Sequence, residues 1–237
     1  MVQDVLPRSV SDAWGIFDAS APNDRIAARG GTGIAKMTNK PIYTIGHSNH
    51  QWRKLLNLLQ THGIGAVCDV RSRPYSRFNP QFNREPMRDA LKAERIAYIY
   101  LGGELGGRPE DEGCYENGQV RYDRVARSEN FRQGLARLQK GRETHRLALM
   151  CAEKDPLDCH RMLLVSRQLA EDGIPVLHIL ANGKLETQEQ SLERLLTRLA
   201  IPAGDLLRSR DEAILAAYSA QAGKVAYQRK PARQGTR

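Results

Sequence analysis

The chain has 237 residues, 41% hydrophobic and 27% charged, enough for one sizeable domain with a packed core, alone or with tails. No apolar run approaches a membrane span, the opening MVQDVLPRSVSDAWGIFDAS lacks the layout of a secretory leader, and four scattered cysteines cannot frame a disulfide scaffold. The expectation is a cytoplasmic protein with reduced thiols and no membrane partner; its net charge of +9 favours an anionic one.

Residues 1–38 mix small residues, prolines and charges with little periodicity and read as an N-terminal extension without chemistry. From there strands and helices alternate. IYTIGHS (42–48) is a short apolar strand. NHQWRKLLNLLQTHG (49–63) has helical spacing through Trp52, Leu55, Leu56 and Leu59 and stops at Gly63. AVCDVRS (66–72) is a second strand, followed by the basic loop RPYSRFNPQFN and a helix in REPMRDALKAERI. AYIYLGGELGGRP is a strand running into a glycine-rich loop, and residues 109–123 form a polar excursion. SENFRQGLARLQKG is helical, RLALMCAE is a strand, PLDCHRMLLVSRQLAEDG is a helix and PVLHIL is a fifth strand. QEQSLERLLTRLAI and RDEAILAAYSAQ close the domain as amphipathic helices, and residues 223–237 read as a basic tail.

This alternation predicts a single α/β domain over residues 39–222: a mostly parallel sheet of about five strands with helices on both faces, a three-layer sandwich with C-terminal helices. An eight-stranded barrel would need more strands than the sequence offers. The chemically unusual residues fall after successive strands: Gly46-His47-Ser48, Asp69 to Pro74, Leu101 to Glu104 and Cys151-Ala152-Glu153. In a parallel sheet these carboxyl ends share one edge, where open α/β folds bind ligands.

The segments TIGHS, DVRSRPYS, YLGGELGG and LMCAEKDPLDCHR, in that order, resemble the bacterial and archaeal family called domain of unknown function 488. The similarity runs from about residue 41 to AAYSAQAGKVAY. It implies a fold and a site but no stated reaction. The implied positions are His47, Ser48, Asp69, Arg71, Pro74, Ser76, Gly102, Gly106, Gly107, Cys151, Glu153, Cys159, His160 and Arg161.

The residue chemistry can be read independently. Asp155 resembles a helix N-cap, with Pro156 in the first turn, which would put Cys159 near the positive end of the helix dipole. Arg161 would further favour a thiolate, Asp158 would oppose it, and Cys159 becomes a candidate nucleophile or redox thiol. A small side chain packed at a corner explains the same cysteine. Cys151, Cys159 and His160 could ligate a metal, with a fourth ligand from His47, His50 or Cys68, although the C-x7-C-H spacing is no standard zinc pattern. The cysteine-to-arginine spacing of a phosphatase loop is absent.

The loop after the second strand carries Arg71, Arg73, Arg77 and Arg84 interleaved with Tyr75, Phe78 and Phe82, which suits phosphates and bases. A solvated loop, or an Asp69–Arg71 or Glu153–Arg71 ion pair, explains it structurally. GGELGG would let backbone amides approach a ligand, or simply turn tightly. Glu104 and Glu153 are candidate acids or bases.

These readings combine into an enzyme, a hydrolase or group transferase, acting on a nucleotide, nucleic acid or phosphorylated metabolite. Its catalytic candidates are Glu153, Cys159, Asp69 and His47. Its substrate-binding candidates are Ser48, Arg71, Arg73, Ser76, Gly102, Gly106, Cys151, His160 and Arg161. No cofactor is required, with a metal at Cys151, Cys159 and His160 held open. The alternatives are a non-catalytic nucleic-acid-binding accessory protein and a cysteine- or metal-based redox protein.

Overall fold

The computed structural model describes residues 40–204 and 209–229; the proposed extension at 1–38 and residues 230–237 of the tail lie outside them. A six-stranded sheet has the order β3-β2-β6-β1-β7-β8. Five strands are parallel: β1 (Ile42–Gly46), β2 (Ala66–Asp69), β3 (Ala97–Tyr100), β6 (Leu147–Cys151) and β7 (Val176–Ile179). The sixth, β8 (Leu185–Thr187), is antiparallel to β7 and was not legible in KLET, because three residues are too few for a period-two pattern.

β1, β2 and β6 are buried along their whole length, as strands covered on both faces must be. Alternate side chains therefore serve two different layers. Tyr43, Ile45, Val67, Ala148, Met150 and Ile179 pack with Leu55, Leu58 and Leu59 of α1 (Trp52–Thr61) and Met87 and Leu91 of α2 (Arg84–Ala93). On the other face, Thr44 bonds to His178, whose other ring nitrogen reaches Gln188 at the start of α7 (Gln188–Arg198). α7 and α8 (Arg210–Val225) pack through Leu192, Leu195, Ala213 and Ala217 against Leu157, Met162 and Leu163. Both helices begin with capping boxes, Thr187 with Gln190 and Ser209 with Glu212, each satisfying two amides at a helix start.

Three other differences from the sequence reading have physical causes. The polar excursion contains a hairpin, β4 (Tyr115–Glu116) and β5 (Gln119–Val120). Asn117 and Gly118 turn it with φ of 49° and 76°, the paired left-handed geometry that Asn-Gly adopts. α8 runs on to Val225, and the segment after it pairs with this hairpin: Val120 N–H donates to the Tyr227 carbonyl at 3.0 Å and Arg229 N–H to that of Gly118 at 2.9 Å. The segment 156–171 is two helical pieces, not one. Asp155 caps only a 3-10 turn (Pro156–Asp158), and an extended Cys159 separates it from a helical run that starts at Arg161 in π form and continues as α6 (Arg167–Glu171).

Candidate active site

The parallel register extends beyond the strands and fixes the neighbouring loops. His47 N–H donates to the Cys151 carbonyl and Ser48 N–H to that of Ala152, both at 2.9 Å. A Cβ on Gly46 would lie 1.8 Å from the Glu153 carbonyl oxygen, so only glycine allows this approach. The strand end of β1 is thereby locked against the turn leaving β6.

Cys151 ends β6, and Cys159 opens the helical run beyond the turn. The Cys159 carbonyl accepts from Met162 and Leu163 N–H, and its Sγ accepts from Arg161 N–H at 3.4 Å. Cys159 therefore lies just before the run that starts at Arg161, not within the first turns of a helix capped by Asp155 as expected from sequence, but still at a helix start. Both sulfurs reach one carboxylate oxygen, Glu153 Oε2, at 2.8 Å from Cys151 and 3.0 Å from Cys159. His160 Nδ1 lies 3.7 and 3.8 Å from the two sulfurs, and its Nε2 is 3.0 Å from the Val70 carbonyl. That carbonyl accepts only from N–H, so the proton sits on Nε2 and, in the neutral ring, the Nδ1 lone pair faces the sulfurs. The ligand atoms of Cys151, Cys159 and His160 all lie within 4.8 Å of one another.

Electrostatics differentiates these groups. Burial raises the Cys151 thiol well above its ordinary range, assisted by the neighbouring Cys159. Burial pushes Cys159 up as well, but the hydrogen bond from Cys151 and the charges of Arg161 and His160 outweigh it and hold the thiol well below that range. Burial, then the Cys159 charge, raises Glu153. For His160 burial opposes the proton, and Cys159 and Glu153 together overcome it and raise the ring.

Arg161 is 1% exposed and has no carboxylate partner among the described residues. Its Nη1 and Nη2 donate to the Glu153 and Lys154 carbonyls at 2.7 and 3.2 Å, and its Nε has no partner among the described residues. It therefore holds the turn rather than an anion. Arg71 is similarly committed: it is 6% exposed, grips Asp69 through Nε and Nη2 at 2.9 and 2.6 Å, and donates to the Phe82 carbonyl and to His47 Nε2. Asp69, fully buried, also accepts from Arg71 N–H and Tyr98 O–H. Of the two ion pairs that the sequence offers for Arg71, with Asp69 or with Glu153, the one with Asp69 forms, and it leaves Asp69 no open position for proton transfer. His47 donates from Nδ1 to the Ser48 carbonyl, and burial, then Arg71, lowers its pKa to about 4. It stands as a neutral link between the β1 end and Arg71.

A cleft of about 430 Å³ opens over the cluster. Cys151, Glu153, Cys159 and His160 line it together with Arg71, Arg73 and Gly107. It also takes Arg108, Tyr122 and Tyr227, which sequence reasoning did not single out. Arg108 directly follows the glycine loop and was readable from GGRP; the two tyrosines come from the excursion and the tail and carried no signal. Arg108 stacks over Tyr227 at 4.4 Å. Arg73 and Arg108 are exposed and have no carboxylate partner among the described residues.

Other expected residues shape the wall instead. Ser76 Oγ accepts from Phe78 and Asn79 N–H and so turns the arginine loop. A Cβ on Gly102 would stand 2.0 Å from the Arg71 carbonyl, and one on Gly106 2.2 Å from Ser72 Oγ, so these glycines permit close packing between loops. Ser48, half-buried with φ of 49°, donates to Asn49. Glu104 pairs with Arg137 and is not among the cleft residues. Cys68, suggested as a fourth ligand, is buried in β2, its thiol pushed up to about 12, and lies outside the cluster.

The family model described as domain of unknown function DUF488 matches residues 51–168, which include the arginine loop, the glycine loop and the cluster. The chain belongs to this family. No curated protein and no solved structure matches it. The DUF488 match begins after β1 and ends within the helical run behind Cys159, so it takes in three of the four strand ends at the site. No helix among the described residues is long and apolar enough to cross a membrane.

Proposed function

We infer that this DUF488 protein is an enzyme, a hydrolase or group transferase, that takes an anionic substrate into the strand-end cleft. Its reactive centre is the cluster of Cys151, Glu153, Cys159 and His160. The observation that carries the reading is the buried Arg161. A guanidinium 1% exposed and without a carboxylate requires negative charge nearby. The cluster supplies it, with Cys159 as the thiolate and Glu153 as the group that moves protons. Active sites are where such charges are held out of solvent. At the mouth, Arg73 and Arg108 hold the anion, with Tyr75, Tyr122 and Tyr227 offering ring faces for a nucleotide-like substrate.

A second reading, nucleic-acid binding without catalysis, is favoured by Tyr75 and Phe78, 59% and 78% exposed on the loop that also carries Arg73 and Arg77.

A thermal-shift screen against phosphate, nucleotides, sugar phosphates and short oligonucleotides tests both. A ligand at one hundred times its Kd stabilises the protein by about 2.7 kcal/mol. One class should stabilise the wild type and lose that effect in Arg73→Ala and Arg108→Ala. Equal shifts in all three proteins would remove the cleft from the account. Affinity for oligonucleotides alone, steep in salt, would favour the second reading.

A further inference from the structure

The two cysteines, the histidine and the glutamate make more contacts with one another than an acid–base pair needs. We propose that Cys151 Sγ, Cys159 Sγ and His160 Nδ1 form a three-ligand site for a zinc-class divalent ion, with Glu153 beside the position that opens to the cleft. The inference shares its centre with the proposed function and adds the cofactor.

Four observations support it. The first is distance. A tetrahedral ion with bonds of about 2.3 Å to sulfur and about 2.0 Å to nitrogen separates those atoms by roughly 3.5 Å. Nδ1 lies 3.7 and 3.8 Å from the two sulfurs. The second is the histidine's orientation. Metal-bound histidines commonly donate their other ring nitrogen to a carbonyl or carboxylate, which fixes the tautomer. His160 Nε2 does this to the Val70 carbonyl at 3.0 Å, aiming the Nδ1 lone pair at the sulfurs. The third is donor type: two thiolates and an imidazole suit zinc and exclude magnesium and calcium.

The fourth is charge. Two thiolates and the Glu153 carboxylate carry three negative charges. A divalent ion and the buried Arg161, which has no carboxylate partner among the described residues, carry three positive ones, so the loaded site is neutral. Cys159 is already the thiolate, so loading releases the proton of the Cys151 thiol to solvent. All four side chains line the cleft, so the fourth coordination position faces the space where substrate would lie. Three protein ligands with one open position is the arrangement of catalytic rather than structural zinc. A glutamate near such a site, not itself a ligand, is how nucleobase deaminases move protons to and from metal-bound water. Glu153, two residues beyond Cys151, occupies the corresponding place.

Cobalt is the probe, because its thiolate complexes absorb visibly where zinc is silent. The full chain, stripped with a chelator and titrated with Co²⁺, should take up one equivalent with thiolate-to-cobalt charge-transfer absorption, which zinc then displaces. Cys151→Ser and Cys159→Ser, checked for native circular dichroism, should each weaken binding by more than about 100-fold, since outer-shell losses alone cost about 10- to 100-fold. Cys114→Ser, outside the cluster, should bind like the wild type. Wild-type protein that shows no charge-transfer band, or binding that survives both serine variants, overturns the site. Anion binding is read on the same samples by thermal shift, so the two proposals fail separately. Anion binding without cobalt binding removes the metal and leaves the cleft; cobalt binding without anion binding upholds the metal site and removes the cleft's assigned substrate class.

Discussion

Asp69→Asn should cost far more stability than a surface ion pair would suggest. The Asp69 carboxylate is fully buried and accepts four hydrogen bonds: from Arg71 N–H, Nε and Nη2 at 3.0, 2.9 and 2.6 Å, and from Tyr98 O–H at 2.6 Å. Asparagine keeps one acceptor and turns an amide donor against another donor. The guanidinium of Arg71, 6% exposed, then loses its only carboxylate partner among the described residues. Breaking one side of a buried pair costs about 3–5 kcal/mol, and domains of this size lose roughly 2–4 °C of Tm per kcal/mol. Urea unfolding should therefore show a lower midpoint at unchanged m value, with Tm down by about 10 °C. Asp69→Leu combined with Arg71→Met should cost less than the sum of the two single changes, because no charge is stranded. A loss below about 1 kcal/mol for Asp69→Asn, the range of exposed pairs, would refute the reasoning and return Asp69 to the list of proton carriers.

Two neighbouring glycines should behave oppositely. Gly102→Ala drives a Cβ to 2.0 Å from the Arg71 carbonyl and should cost about 1–3 kcal/mol or more, whereas Gly103→Ala meets nothing within 4 Å and should gain roughly 0.5–1 kcal/mol; equal effects in chemical denaturation would contradict this packing. His178, held between Thr44 and Gln188, is lowered to about 4 by burial and then by Arg161, whereas the unfolded ring titrates near 6.5. Its contribution is complete above pH 6.5, is lost as pH falls from there towards 4, and levels off below. Across that window it amounts to about 3 kcal/mol at 1.36 kcal/mol per pH unit. The stability difference between wild type and His178→Gln should change over that window, and a difference constant with pH would show that His178 is not the titrating group. Arg161→Met should destabilise by about 3 kcal/mol, since two carbonyls lose charged donors; a stability equal to wild type would remove the need for negative charge in the cluster.

Much of the sheet was legible in the sequence because fully buried parallel strands read as apolar runs, and each was followed by conspicuous residues. β8 and the β4–β5 hairpin were not, being too short to show a period, although Asn117-Gly118 is itself a hairpin signal. Asp155-Pro156 was a true start signal for a helical turn, but sequence could not show that the turn ends at Asp158 and that a second helical run starts at Arg161, after the extended Cys159. The arginines were the least legible. Arg71, Arg73 and Arg161 look alike in a sequence, yet burial assigns Arg71 and Arg161 to internal partners and leaves only Arg73 facing out. Tyr227 reaches the cleft only because the segment after α8 pairs with the hairpin, a long-range contact that no local pattern encodes.

A cluster that performs chemistry on an anion held in the cleft needs Glu153 to move the proton. The direct measurement is turnover and affinity of Glu153→Gln on the ligand class that stabilises the wild type. kcat should fall by at least about 100-fold, the low end for loss of a general acid or base, while Kd for that ligand and the Tm of the free protein stay near wild type. A variant that turns over normally, or one that loses binding in step with activity, would contradict the assignment of Glu153 and its cluster as the reactive centre.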